Sequence, residues 1–204
     1  MDNGPGQRYG LLGVAEIEET DLICMPDLPW FIQRGLWTAK DMETVQQMAV
    51  AICETKQDRF CILDLPPETT PTGAMVWRRL FDTSYAGFYY PYLVPMGGHR
   101  QVPPCGHVAG VFARCDHEFG VYRAPANEPF EGVVDLALIL QQGDLATLNS
   151  EGINCLQVFA QRGIRVWGAR TATGDPQLRH ISVRRTILAI GRALNVGLQW
   201  VVFE

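Results

Sequence analysis

No apolar run in this chain approaches the roughly 20 residues that a bilayer-spanning helix requires. The opening residues, MDNGPGQRYG, have neither the basic start nor the apolar stretch of a secretory signal. A basic excess is missing too. Seventeen lysines and arginines face 22 acidic residues, a formal net charge of -5. That excludes a protein that coats nucleic acid, because phosphate binding needs a concentrated basic face. There is no C-x-x-C pair. Cys24, Cys53, Cys61, Cys105, Cys115 and Cys155 are scattered, mostly within apolar runs, as buried reduced thiols would be. Gly4, Gly6, Gly10 and Gly13 do not follow a strand as G-x-G-x-x-G, and no Walker lysine occurs, so a nucleotide-binding loop is excluded. Internal repeats, low-complexity tracts and a convincing interdomain linker are likewise absent. What remains is 204 residues at 47% hydrophobic and 19% charged, an ordinary globular composition that can fill one core.

The most informative stretch is Asn149 to Thr173. Ile153 to Phe159 and Ile164 to Ala169 are short runs rich in β-branched and aromatic residues. They flank Ala160-Gln161-Arg162-Gly163, with a glycine where a tight return needs one, and predict a buried strand pair or a strand with a sharp return, closed at Gly168. Asn154, Gln157, Arg165 and Arg170 inside it lack the grouping of a reaction centre. They suit hydrogen bonds to nearby backbone or contact with another subunit.

Around that centre, strands and helices alternate. Residues 1–9 read as a flexible segment and 10–204 as one α/β core. Leu22 to Met25 predicts a strand, Leu28 to Trp37 a loop anchored by two tryptophans. Thr38 with Asp41 three residues later predicts a capped helix to about Thr55, burying Met42, Val45, Met48, Ala49 and Ile52. Phe60 to Leu65 is a near-continuous apolar run, as in a strand covered on both faces. A helix over 74–81, an aromatic strand over 87–92 and a helix over 106–118 follow; the last buries Val108, Val111, Phe112 and Cys115. Residues 132–140 are ambiguous between strand and helix. Ser182 is expected to cap a helix through Leu194 with Val183, Ile187, Ile190 and Leu194 inward, and Leu198 to Phe203 to form a last strand. The alternation argues for a doubly wound, mainly parallel sheet with helices on both faces.

Candidate chemistry is sparse. Asp64 at a strand end and Gly106-His107-Val108-Ala109-Gly110 on a helix resemble parts of a subtilisin-type serine protease. In that alignment the catalytic histidine position falls on Pro104, which can take no proton, and no serine elbow is present. The expectation is a subtilisin-like fold without its catalytic triad. Cys105, His107, Cys115 and His117 suggest zinc, but residues two apart on a helix point in divergent directions and the spacing misses structural-zinc patterns. No metal or cofactor is expected. Arg179, Arg184, Arg185 and Arg192 gather near the last helix. They form either a solvated face or a cationic patch toward a partner, and are the candidate subunit interface.

Several stretches taken in order resemble one family. These are Arg59-FCILDLPP, Asp82-TSYA running to Tyr89-Tyr90-Pro91, Val102-PPCGHVAGVFARCD, Gly120-VYRAPANE, Leu148-NSEGIN, Arg162-GIRVWGART, Val183-RR and Gly197-LQWVVFE. From about Leu11 to the last residue, the chain resembles the contractile tail sheath proteins of phages and of related injection systems. The resemblance implies a subtilisin-like core without protease activity, needing no cofactor. It implies subunits that stack in rings on an inner tube, contact the baseplate, and shorten to drive the tube through a target envelope. Such a protein is assembled in the cytoplasm into a virion tail or tail-like particle, inserts into no membrane and binds no nucleic acid. The alternative within the family is a shorter relative that binds, caps or regulates the apparatus. Sheath proteins usually carry an extended N-terminal arm and a further C-terminal segment. Here the chain starts near the core and stops at Phe203-Glu204, as expected of a short paralogue, a split product or a fragment.

Overall fold

The buried run at Phe60 builds the centre of a five-stranded sheet. A computed structural model of the chain describes residues 9–98 and 100–200. Its order is β1 (Leu22–Cys24), β2 (Phe60–Leu63), β3 (Ala86–Tyr90), β6 (Ile153–Phe159), β7 (Gly163–Trp167). The first four strands are parallel, with Leu22 opposite Phe60, Cys61 opposite Ala86 and Phe88 opposite Ile153. β6 and β7 form the antiparallel pair expected around Gly163, with Leu156 opposite Val166. A second, two-stranded sheet joins β4 (Leu93–Pro95) to β5 (Val133–Leu136), which resolves the ambiguity at 132–140 in favour of strand.

Alternation along β2 divides the core. Cys61 and Leu63 face Ala49, Val50 and Cys53 of α3 (Ala39–Lys56), Ala74 of α4 (Pro71–Arg78), and Leu145 and Leu148 of α6 (Gln142–Ser150). Phe60 and Ile62 face Val108, Val111 and Phe112 of α5 (Cys105–Glu118), and Ile181 and Leu188 of α7 (Ile181–Gly197). Every residue of β2 is buried, so the unbroken apolar run is what two covered faces require.

The hairpin centre needs two glycines. Gly163 takes φ 73 in the return. At Gly168 a Cβ would stand 2.9 Å from Asn154 Oδ1 and 3.0 Å from its Cα. That close approach lets Asn154 bond both ways across the gap, its Nδ2 donating to the Arg170 carbonyl at 2.8 Å and its Oδ1 accepting from the Arg170 N–H at 2.7 Å. Arg165 donates from Nε to the Arg162 carbonyl and from Nη1 to the Asn127 carbonyl. These polar residues bond backbone, as the sequence suggested.

Several expectations are corrected. The 28–37 loop begins with a short helix, α2 (Leu28–Gln33), because Pro29 sits in its first turn, where its missing N–H costs nothing. Its tryptophans are not core anchors: Trp30 is 36% exposed, and Trp37 is half-buried, stacked on Phe31. A four-residue helix, α1 (Leu11–Val14), precedes β1. In α3 the capping box at Thr38 and Asp41 is complete. Met48, however, is exposed, while Gln46 and Glu43 are buried in its place. Gln46 is held by two bonds, donating to the Asp64 carbonyl and accepting from Trp77 Nε1. Trp167 is 44% exposed, because β7 turns Ile164 and Val166 inward and its alternate residues out. Residues 198–200 form a turn and a 3₁₀ segment, so the expected last strand is absent there; its remainder, 201–203, and the N-terminal segment 1–8 lie outside the described residues.

Candidate functional site

Two places bring together the residues that the sequence singles out: the carboxyl end of β2 and the inner face of α7. At the first, Asp64 follows β2 and is 2% exposed. Its Oδ1 accepts the Cys105 N–H at 2.9 Å, one of the open amide donors at the start of α5. Burial pushes the Asp64 carboxyl up to about 7, against the thiol and N–H bonds from Cys105 that hold it down. The Cys105 thiol also bonds Cys24 at the end of β1. That bond lowers Cys24 to about 7 against partial burial, while it and burial raise Cys105.

Pro104 is the N-cap of α5 and is buried beside this carboxylate. The position that the subtilisin resemblance gives to a histidine is therefore a ring with no titratable group. His107 lies one turn on, half-exposed, lining a cleft of about 500 Å³ with Trp30, Pro29, Arg100 and Pro103. The chain's three serines, Ser84, Ser150 and Ser182, are engaged elsewhere. Ser84 Oγ accepts from Arg184, Ser150 donates to the Thr147 carbonyl, and Ser182 lies in the first turn of α7 with Thr186 bonded to its carbonyl. Asp64 thus ties β2 to α5. Cys105 and Cys115 are buried in the core while His107 and His117 are not, so the C-x-H pairs diverge as their helical spacing demands. Among the described residues no group of three or more His, Cys, Asp or Glu could hold a metal ion.

At α7 the structure inverts the expected orientation. His180, not Ser182, stands at the N-cap. Val183, Ile187, Ile190 and Leu194 are 41 to 55% exposed, and the buried face carries Ile181, Arg184, Arg185 and Leu188. Arg185 forms a fork with Asp116 of α5, Nη1 to Oδ1 at 2.7 Å and Nη2 to Oδ2 at 2.6 Å, and lies 4.9 Å over the Phe112 ring. Arg184 lies 4.2 Å over the Tyr85 ring. Arg192 pairs with Asp21 and reaches the Thr20 and Asp58 carbonyls. Arg179 is exposed. The four arginines are therefore not one cationic surface. Three bind α7 to the rest of the chain, and the face left open is apolar.

Sequence reasoning gave Arg59 no role beyond opening a family-like stretch. It is 1% exposed, and its guanidinium donates to Asp58 and to the Val14 and Ile17 carbonyls, clamping the segment ahead of β1. An arginine opening a buried apolar run is the signal that could have found it.

Comparison with known proteins agrees with this architecture. The sequence model of the phage tail sheath protein central domain matches residues 11–172. Among curated relatives, the tail sheath protein of Vibrio phage KVP40 is 28% identical over 145 residues, 67% of this chain and 22% of that protein. The tail sheath protein of Burkholderia phage BcepMu is 26% identical over 155 residues, 68% of this chain and 32% of that protein. Among solved structures, a chain of the anti-feeding prophage helical sheath in its contracted state superposes with a TM-score of 0.72 at 29% identity, over 94% of this chain and 50% of that one. A chain of the contracted anti-feeding prophage baseplate gives 0.76 at 26% identity, over 94% and 52%. The chain thus spans about half the length of these solved relatives and a third or less of the two curated ones. With the match covering most of its length, the chain belongs to the phage tail sheath protein family, through that family's central domain.

Proposed function

We propose that this chain is a structural subunit of a contractile tail sheath, packed with other sheath subunits around an inner tube and moved as a rigid body when the sheath shortens. The observation that carries this reading is the fold match over 94% of the chain to a contracted helical sheath, together with the family match over residues 11–172. The exposed stripe Val183, Ile187, Ile190 and Leu194 supports it, since a contiguous apolar face marks a surface that meets another protein. Work in such a device comes from moving rigid bodies between two packings, which requires no reaction centre. The fold is a doubly wound, subtilisin-like one that has lost its triad, a reading supported by Asp64 at a strand end against the start of α5 and by Pro104 at the base position. Residues 10–204 act as one core, without enzymatic activity, cofactor, nucleic acid or membrane insertion. The protein is assembled in the cytoplasm into a phage tail or tail-like particle. Of the candidate interface arginines, Arg179 is the exposed one that faces a partner; Arg184, Arg185 and Arg192 support the fold.

A second reading is association with the baseplate as a binding, capping or regulatory relative, favoured by the superposition on a baseplate chain. Co-expression of a tagged chain with the tail proteins encoded beside it, followed by negative-stain microscopy with a gold label, separates the two. Label along the sheath is expected. Label confined to one end selects the baseplate role, and particles carrying no label overturn both. A fluorophosphonate probe should leave the protein unlabelled; labelling lost in Asp64→Asn would refute the non-enzymatic reading.

A further inference from the structure

At the end of the sheet where the parallel strands begin, three arginines from separate elements line one cavity of about 230 Å³: Arg78 at the end of α4, Arg170 after β7, and Arg179 ahead of α7. Their charges are poorly matched. Arg78 donates from Nη1 to the Phe81 carbonyl, but its Nε is buried with no hydrogen-bond partner. Arg170 and Arg179 have no side-chain bond or ion pair among the described residues; the bonds at both positions are made by backbone groups. The acids nearby are spoken for. Glu151 in the cavity wall is forked by Arg79, at 3.0 and 3.2 Å, and Asp82 caps the Thr173 hydroxyl and the Gly174 N–H. Asp82 and Glu151 act on Arg78 from nearby, but the hollow still holds three guanidinium groups against the one carboxylate in its wall, in a chain with a formal net charge of -5. Guanidinium forks fit planar oxyanions, and a carboxylate is of the right size.

The same end of the sheet carries the complement. Glu18 and Glu19 lie in the turn before β1, both exposed and without a partner among the described residues. β1 and β6 run parallel, so the start of β1 and the start of β6 share one end of the molecule. With β2 and β3 between them, β1 and β6 are about 14 Å apart across the sheet, at three strand spacings, and the register sets Ile153 level with Leu63, three residues beyond the level of Leu22. Within one molecule the acid turn and the arginine hollow thus lie at opposite sides of the sheet and do not pair. Two different patches on one chain make a head-to-tail contact, the kind that closes into rings when the rotation permits.

We infer that the hollow lined by Arg78, Arg170 and Arg179 is a carboxylate site that receives the Glu18–Glu19 turn of a second copy of this chain. The inference deepens the sheath reading, and it is tested on the isolated chain, so it can fail while incorporation into a sheath succeeds. A contact of a few partly exposed charges is weak and sensitive to salt, so the measurement must read millimolar association. Amide spectra of the ¹⁵N-labelled chain are compared from about 0.05 to 1 mM at low ionic strength and again in about 0.5 M salt. Concentration-dependent shifts are expected at 16–21 and at 150–152, 170–174 and 179, and they should disappear in salt. Glu18→Lys with Glu19→Lys, or Arg170→Glu with Arg179→Glu, should each abolish them, and the fourfold reversal should bring them back. If the pocket pair does not fold, the exposed Arg179→Glu alone with Glu18→Lys serves the same purpose. Absence of shifts, shifts confined to α7, or no recovery in the combined reversal overturns the inference. Inorganic phosphate supplies the other arm. Saturable phosphate shifts at the hollow without self-association identify a free-anion site and overturn docking of a second copy.

Discussion

Asp64 shows how one buried group sets a measurable property. Its carboxyl is raised by burial from 3.8 to about 7 in the folded chain. A group raised in this way gives its full stabilisation below the unfolded value, and that contribution is lost as pH rises through the folded one. Its share of the stability should therefore fall between about pH 4 and pH 7. Asp64→Asn keeps an oxygen for the Cys105 N–H and removes the charge, so urea midpoints of the variant should decline less than wild type from pH 4 to pH 8. An unchanged slope would show that the carboxylate is not desolvated. Cys24 next to it is the one cysteine that is not fully buried, and the bond from Cys105 favours its thiolate. Iodoacetamide at pH 7.5 should alkylate Cys24 first in the native protein, read by peptide mass mapping, with the other five protected until unfolding. Trp167 makes the opposite point. With 44% of its surface exposed and one ring contact to Phe159, Trp167→Ala should cost only about 1 kcal/mol, well below the 3–5 of a buried tryptophan.

Among the elements, those with a local physical signature were legible in the sequence. The unbroken apolar run of β2, the Thr38–Asp41 box of α3, the apolar face of α5 and the Gly163 return each carry their cause within a few residues. The same holds for Asp64 at the end of its strand. α6 was missed because it has no side-chain cap and buries only Leu145 and Leu148. α7 was found but turned the wrong way. Hydrophobic periodicity assumes that the apolar stripe faces the chain's own core. Here the ground beneath the helix offers the rings of Tyr85 and Phe112 and the Asp116 carboxylate, which suit arginine stems and guanidinium planes better than aliphatic side chains. The two faces can be separated by substitution. Arg185→Ala strands Asp116 and removes the fork between α7 and α5, and should cost about 3 kcal/mol in denaturant titrations. Ile187→Lys with Ile190→Lys should leave the melting temperature within about 2 °C, as surface changes do. A loss as large as that of Arg185→Ala would mean that the apolar stripe is buried in the isolated chain after all.

Across the whole molecule, one sheet serves two cores. Cys61, Leu63 and Phe88 belong to the core beneath α3, α4 and α6, while Phe60, Ile62 and Tyr89, their neighbours in sequence, belong to the core beneath α5 and α7. Neither core can dissolve without stripping one face of the shared strands, so the two are mechanically and thermodynamically coupled. A subunit that transmits force as a rigid body needs that coupling. In the proposed role, separate melting of one helical layer would let the subunit yield instead of moving. Leu63→Ala opens a cavity on one side and Phe112→Ala on the other, each at a cost of about 3–4 kcal/mol. In both variants, tryptophan fluorescence and far-ultraviolet circular dichroism should follow a single urea transition that moves to lower denaturant as a unit, the mark of cooperative unfolding. Trp77 packs on the first core, so with Trp30, Trp37, Trp167 and Trp200 replaced by Phe fluorescence watches that side, whereas dichroism watches both helical layers. In Phe112→Ala, the two signals should still coincide although the damage lies across the sheet. An early loss of ellipticity with Trp77 fluorescence unmoved would mean that α5 and α7 unfold alone, and the rigid-body mechanism would then need another source of stiffness.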